Sequence, residues 1–234
     1  MKNILFSNVK DFRYERKFYV DGLAGGEIEV ALRHHPEAFG RIYHPRIVNN
    51  IYFDSVNMQH YFDNLGGVDR RIKVRVRWYG DTFGRVEAPT LELKVKHNMH
   101  VGKLLYPLKP FTLDGGFTIN IMRNIFKQST LNDALKAHLM ELGFSLLNSY
   151  SRDYFLSADR RFRITVDTDM EAYRLSPHNN SFLHKTKDRI NTILELKYNM
   201  PDDDRASVVT EHLPFRITRS SKYVDGIAKV SNLA

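Results

Sequence analysis

Four stretches of the chain alternate charged and apolar residues with a period of two. Residues 71–78 read Arg-Ile-Lys-Val-Arg-Val-Arg-Trp, cationic at every odd position and apolar at every even one. Residues 91–96 (Leu-Glu-Leu-Lys-Val-Lys) and 161–167 (Arg-Phe-Arg-Ile-Thr-Val-Asp) repeat the pattern. Residues 192–197 are a looser copy and 12–18 a noisier one. A period of two is that of a β-strand, whose successive side chains lie on opposite faces. One such strand is ordinary, with its apolar face on a core and its charged face in water. A solvent face, however, usually mixes neutral polar residues with its charges, and the face carrying Arg71, Lys73, Arg75 and Arg77 has none. Like charges along one face and across neighbouring strands repel, so the arrangement calls for an anion. A sheet closed into a barrel, apolar face outward beneath helices, would turn the charged faces into a channel. Such a channel is a container for a polyanion.

The rest of the pattern places the other elements. Strands are predicted over 11–20, 46–53, 70–79, 90–97, 150–157, 161–169 and 191–198. Helices are predicted over 24–35, ended by Pro36; from a cap at Asp54 or Ser55 to 64; over 118–127 and 130–141, the latter stopped by Gly143; and over 201–212 and 223–230. Residues 80–84 have the length of a hairpin turn, and 98–116, with three Gly and two Pro, read as a loop carrying Lys103. The aromatics of Tyr52-Phe53, Tyr61-Phe62 and Phe144 read as packing for helices on the barrel wall. No linker or fixed-period repeat divides the chain, so residues 1–234 read as a single α+β domain.

Composition narrows the chemistry. The 234 residues are 42% hydrophobic and 26% charged, as in a globular protein, with a net charge of +8. A pI of about 9.5 points to an anionic partner. There is no cysteine, so disulfides and thiolate metal sites are excluded. No apolar run approaches the ~20 residues of a membrane helix, and the N-terminus has no stretch suited to a signal peptide. A cytoplasmic protein with no membrane segment is expected, and any membrane-protein partner is left open. Neither glycine-rich phosphate loop is present, nor His-Glu-x-x-His or Gly-x-Ser-x-Gly. The ten histidines lack ligand spacing, and Asp202-Asp203-Asp204 reads as a helix start.

On the strand phase, the inward set is Glu15, Lys17, Lys73, Arg75, Arg77, Glu92, Lys94, Lys96, Arg161, Arg163, Asp167, Asp169, Glu195 and Lys197, with Lys103 and Arg152 able to join. Arginine forks match phosphate oxygens, lysine supplies a movable point charge, and Glu or Asp can hold Mg2+ or Mn2+ beside phosphate. Phosphoryl transfer needs mainly positioning and charge neutralisation, and this set offers both. Removing Arg75 or Arg77 is expected to abolish triphosphate binding while leaving the fold intact or more stable, since each is read as a repelling charge.

Eight motifs in chain order resemble one family. They are Arg13-Tyr14-Glu15-Arg16-Lys17-Phe18, Asn50-Ile51-Tyr52-Phe53-Asp54-Ser55, Lys73-Val74-Arg75-Val76-Arg77-Trp78-Tyr79-Gly80, Leu91-Glu92-Leu93-Lys94-Val95-Lys96, Tyr150-Ser151-Arg152-Asp153-Tyr154, Arg163-Ile164-Thr165-Val166-Asp167-Thr168-Asp169, Leu194-Glu195-Leu196-Lys197 and Ser221-Lys222-Tyr223. Together they resemble the VTC domain, the polyphosphate polymerase domain of the triphosphate tunnel metalloenzyme superfamily, over roughly residues 11–230. The resemblance implies an eight-stranded antiparallel tunnel with a charged interior and covering helices. It implies transfer of the ATP γ-phosphoryl group to a growing polyphosphate chain with a divalent metal, typically Mn2+. By motif, Lys17, Arg75, Arg77, Lys94, Lys103, Arg152, Arg163 and Lys222 would bind phosphates, Ser221 could bond a phosphate oxygen, and Glu195 would hold the metal. The first strand of the superfamily commonly carries Glu-x-Glu-x-Lys, and here Arg13 stands at the first Glu position. A site one carboxylate poorer suits a polyphosphate binder and leaves Glu15 an open candidate for the metal.

The expected catalytic set is Arg75, Arg77, Lys94, Arg163 and Glu195. Lys17, Lys73, Lys103, Arg152, Lys197, Ser221 and Lys222 would hold phosphates, and Glu195 and Glu15 would hold Mn2+ or Mg2+. ATP or another triphosphate, and polyphosphate, are the expected partners. A metal-dependent inorganic or nucleoside triphosphatase is an alternative, in which Glu15 or Glu92 would contact the attacking water. A non-catalytic polyphosphate-binding module is another. Specific nucleic-acid binding fits least, because the residues between the cations are Ile, Val and Leu rather than stacking aromatics.

Overall fold

The alternation is realised as a ring of strands with its apolar side outermost. A computed structural model describes residues 13–23, 25–97 and 100–231. The N-terminal signal-peptide reading, residues 11 and 12 of the first predicted strand, and Ala24 of the first helix lie outside those residues. The strands are β1 (Tyr14–Val20), β2 (Gly40–Arg41), β3 (Arg46–Asp54), β4 (Arg70–Tyr79), β5 (Gly84–Val86), β6 (Thr90–His97), β7 (His100–Pro107), β8 (Phe111–Leu113), β9 (Gly143–Leu156), β10 (Arg163–Tyr173), β11 (Lys185–Asp188) and β12 (Thr192–Tyr198). The helices are α1 (Gly25–Arg33), α2 (Gln59–Leu65), α3 (Ile119–Gln128), α4 (Asp133–Glu141), α5 (Asp203–Glu211) and α6 (Lys222–Ser231).

Eight strands pair antiparallel in the order β1-β12-β10-β9-β3-β4-β6-β7. The two ends of this order meet at one antiparallel bridge, where Arg13 and Val101 exchange backbone hydrogen bonds of 3.1 and 3.3 Å. The bridge brings together two edges that would otherwise expose unpaired backbone groups. Outside the ring, Ile72, Val74, Val76 and Trp78 of β4 and Leu91, Leu93 and Val95 of β6 pack with Met122 and Phe126 of α3 and Leu135 and Leu139 of α4. On the opposite side Phe18, Ile164, Val166, Leu194 and Leu196 pack with Ile28 and Leu32 of α1 and with Ala206 and Val209 of α5. Two hydrophobic cores therefore flank the ring and leave its interior to the charges.

The C-terminal helix is different. Tyr223 and Ile227 of α6 pack on Tyr52, Leu146 and Ala172, which face inward on β3, β9 and β10, so α6 fills part of one end of the tunnel. Gly226 permits this approach: a Cβ there would lie 2.6 Å from a Leu146 methyl. Tyr223 stacks on Tyr52 with centroids 4.8 Å apart and donates through its hydroxyl to Asp54 Oδ2 at 2.5 Å. The Asp54 carboxylate also accepts from the amides of His60 (2.9 Å) and Tyr61 (2.8 Å), and Ser55 Oγ accepts from that of Gln59 (3.1 Å). Both expected capping residues thus serve α2, whose regular turns start at Gln59 rather than next to the caps.

Several predicted boundaries need correction. Residues 98–116 are not one loop, because β7 and β8 lie within them and Lys103 sits on β7 opposite Lys94. The connection between β4 and β6 is longer than a hairpin turn and holds β5, which pairs with β8. Gly143 opens β9 instead of closing a helix, and β11 was not foreseen. A bulge interrupts the β9–β10 register between Thr168 and Glu171, with Asp169 at a left-handed φ of 49°.

Candidate functional site

The strand faces converge on a cavity of about 570 Å³ lined by eleven cations and three carboxylates. The cations are Arg13, Lys17, Lys73, Arg75, Arg77, Lys94, Lys103, Arg152, Arg163, Lys197 and Lys222, and the carboxylates Glu15, Glu92 and Glu195. Of the expected site residues, only Ser221 is absent from this lining. It stands at the start of α6, where its Oγ accepts from Lys73 Nζ at 2.8 Å, so it borders the same space. Four residues of the wider inward set lie elsewhere, Asp167 being fully buried behind the wall. Arg161 precedes β10 and pairs outside with Asp159 (3.8 Å) and Asp202 (3.5 Å). Asp169 is carried out of phase by the bulge, beside Lys187 and Arg189. Lys96 is half-buried on β6 beyond the cavity lining.

Each interior carboxylate is held by cations. Glu92 Oε2 accepts from Arg75 Nε (2.8 Å) and Nη2 (2.5 Å), with Arg77 Nη1 at 3.5 Å. Arg75 Nη1 also donates to the Tyr52 hydroxyl (3.2 Å), while Arg77 donates to Asn50 Oδ1 (2.8 Å) and the Tyr150 hydroxyl (3.2 Å). Glu15 pairs with Lys94 at 2.9 Å. Glu195 has Lys197 at 3.0 Å, Lys17 at 3.3 Å, Lys222 at 3.7 Å and Arg152 at 3.8 Å. Behind the wall, fully buried Asp167 takes both arms of the Arg152 fork (2.5 and 2.7 Å) and Lys222 Nζ (2.5 Å). Arg75 is therefore no simple repelling charge. Its removal would leave Glu92 with Arg77 alone at 3.5 Å, so the premise behind an unharmed or more stable Arg75→Ala fold, a charge that only repels, does not hold.

The ionisation balance follows from these contacts. Burial raises the Glu15 carboxyl, but Lys94, with Lys197 and Lys17, outweighs it and brings the pKa down to about 2. Burial also opposes charge on Glu195, yet the surrounding lysines hold it well below the carboxylate range. Lys94 is pushed down to about 8 by burial and by Lys17, despite Glu15. Lys73 is lowered well below its ordinary value, by burial first and then by Lys17, Lys94 and Arg75. Among described residues Lys73 has no carboxylate within salt-bridge distance, and its register partner is Lys94.

Four inward polar groups escaped the sequence reading. Tyr52 packs a helix as expected, stacking on Tyr223 of α6, but its hydroxyl is also a partner of Arg75. Asn50 lies on the same strand face, orients Arg77, and is itself held by Asn148 at 2.8 Å. Tyr150 stands between Arg77 and Arg152, and these cations outweigh burial and lower its hydroxyl. The parity of Asn50 and Tyr52 on β3 was the available signal. Thr165 Oγ1 is buried on the cavity wall with no hydrogen-bond partner among the described residues.

An antiparallel ring with apolar flanks and a cation-lined bore is the triphosphate tunnel fold. The chain belongs to the VTC domain family, whose profile matches residues 12–231. No curated protein gave a match. Among solved structures, a conserved hypothetical protein from Pyrococcus furiosus is similar at 10% identity and a TM-score of 0.52, covering 92% of this chain and 99% of its own. A Hippeastrum protein described as an adenylyl cyclase candidate with a dominant triphosphatase activity is similar at 11% identity and a TM-score of 0.50, with 92% and 95% coverage. An adenylate cyclase candidate from Vibrio parahaemolyticus is similar at 8% identity and a TM-score of 0.50, with 92% and 98% coverage. At these identities the likeness concerns the fold alone.

Proposed function

We propose that the tunnel binds ATP and transfers its γ-phosphoryl group to the end of a polyphosphate chain. The observation that carries this reading is the pairing of the carboxylates. Glu15 and Glu92, the residues that would orient water in a triphosphatase, are engaged by Lys94 and by Arg75 and Arg77. A terminal polyphosphate oxygen is already ionised and needs no general base. It attacks the γ-phosphorus, the bond to the β-phosphate oxygen breaks, and ADP leaves with no proton taken up. Lys73, Arg75, Arg77, Lys94 and Lys103 on one wall, and Arg152, Arg163, Lys197 and Lys222 on the other, would hold the reacting phosphates in line and offset their charge.

Mn2+ or Mg2+ fits the donor chemistry on one condition. Glu195, with Glu15 nearby, has hard oxygen donors facing the bore that a metal would have to share with the cations now holding them, and no cluster of three or more metal-ligating side chains occurs among the described residues. Such ions commonly take one or two carboxylates and complete their shell with phosphate and water, so the metal would arrive with its triphosphate. When bound it would neutralise phosphate charge.

Purified protein with ATP and Mn2+, assayed separately for long-chain polyphosphate and free phosphate, tests the reading. Polymer with ADP is expected; free phosphate without polymer would make the protein a triphosphatase and overturn the proposal. Glu195→Gln should lower turnover at saturating Mn2+ by orders of magnitude while metal-free triphosphate binding is kept.

A further inference from the structure

One mouth of the tunnel is built differently from its bore. Here β3 begins, β4 ends and β9 approaches its end, and three tyrosines gather around one arginine. The Arg46 guanidinium lies 4.9 Å from the Tyr43 ring centroid, 5.8 Å from that of Tyr79 and 5.7 Å from that of Tyr154. Tyr43 and Tyr154 also meet edge to face at 5.7 Å. Tyr43 and Tyr79 are 51% and 53% exposed, so these rings are not core packing. Leu105, 49% exposed, adds an apolar edge, and Tyr79, Tyr154 and Leu105 all line the cavity.

A polyanion can use the Arg46 charge but gains nothing from the ring faces around it, whereas a nucleobase can use those faces. Every base has a π-face that stacks on aromatic rings and guanidinium planes. The spacing suits a nucleotide whose phosphates lie in the bore. Tyr79 is two residues beyond Arg77 on one strand face, and Tyr154 two beyond Arg152. Two strand residues span about 7 Å, the scale of the ribose that separates a base from its first phosphate. We propose that Tyr43, Arg46, Tyr79 and Tyr154 form a nucleobase platform at the tunnel mouth, which makes the substrate a nucleoside triphosphate rather than inorganic triphosphate. The inference rests on the triphosphate reading of the bore. Because stacking uses a feature common to all bases, the platform separates nucleotide from inorganic triphosphate, not one base from another.

Calorimetric titration of the full chain with ATP and with inorganic tripolyphosphate, at fixed ionic strength, tests it. Tyr79→Ala should weaken ATP by about tenfold, a change of roughly 1.4 kcal/mol that one stacked base can supply, and leave tripolyphosphate unchanged. Tyr79→Phe, which keeps the ring, should bind ATP like the wild type. Unchanged ATP affinity in Tyr79→Ala, or equal weakening of both ligands, would overturn the platform. A wild type that binds ATP while Tyr79→Ala keeps the same ATP affinity refutes the platform alone, whereas a wild type that binds tripolyphosphate but not ATP refutes the ATP reading as well, and one that binds neither refutes the triphosphate reading of the bore.

Discussion

The two walls of the tunnel carry similar charges in opposite states of satisfaction. On the wall of β1, β12, β10, β9 and α6, Lys17, Arg152, Lys197 and Lys222 are matched to carboxylates. Glu195 and Glu15 outweigh burial and raise Lys17, and Asp167 does the same for Arg152. On the wall of β4, β6 and β7, Lys73, Lys94, Lys96 and Lys103 are all pushed below their ordinary values, burial being the leading cause each time. Arg75, matched to Glu92, is the exception there. The first wall leaves Arg163 as its unmatched cation, whereas on the second Lys73 and Lys103 both have no carboxylate within salt-bridge distance among the described residues, Glu92 being taken by Arg75 and Arg77 and Glu15 by Lys94. Phosphate should therefore settle against β4 and β6, with the matched wall as its rigid counterpart.

The largest test breaks the matched wall. Asp167→Asn would leave Arg152 and Lys222 buried with only distant help from Glu195. Losing one partner of a buried pair costs about 3–5 kcal/mol, which in a domain of this size lowers Tm by roughly 10 °C. Lys73→Met on the other wall removes a cation among cations and should leave Tm unchanged or higher. Thermal unfolding of the two variants side by side checks this, and equal losses would erase the distinction between the walls.

A second test supplies the missing anions. Tripolyphosphate at ~100 times its Kd adds about 2.7 kcal/mol of stability, and Tm should rise by several degrees at constant ionic strength, with sulfate raising it less. The rise should shrink in Lys73→Met. It should persist in Arg33→Ala, which loses only a surface pair with Glu29 on α1. No shift with any polyanion would leave the tunnel without its proposed ligand.

The contrast between walls was only half legible in the sequence. Period-two alternation revealed β4, β6, β10 and β12 and put their cations inside, because on a strand parity alone assigns the face. Parity has no memory across a bulge, so Asp169 was misplaced one pair beyond Asp167. In β7 the alternation is broken by Gly102 and Leu104-Leu105 and ended by Pro107, and only pairing with β6 makes it a strand. Which carboxylate meets which cation depends on register between strands far apart in sequence. Lys94 and Glu15 are 79 residues apart, and Lys222 reaches Asp167 only because α6 enters the tunnel. Individual strand patterns carried the sign of the interior, and assembly decided its satisfaction.

The finest test of the comparison is a pH titration. Lys94 has a folded pKa of about 8 against 10.5 for the free side chain. Below about pH 8 both folded and unfolded chains carry this proton, and the folded state bears the full cost of a crowded cation. Between about 8 and 10.5 the folded chain has released the proton and the unfolded chain still holds it, so this group makes stability rise with pH. Lys17 on the matched wall shifts upward and so makes no such contribution in that window. Bound triphosphate would restore the Lys94 charge, so binding above pH 8 should take up protons and weaken as pH rises. Titrating tripolyphosphate calorimetrically at pH 8.5 in two buffers of different ionisation enthalpy measures that uptake directly. Uptake should diminish in Lys94→Met, and equal uptake in that variant would show that the protons go elsewhere.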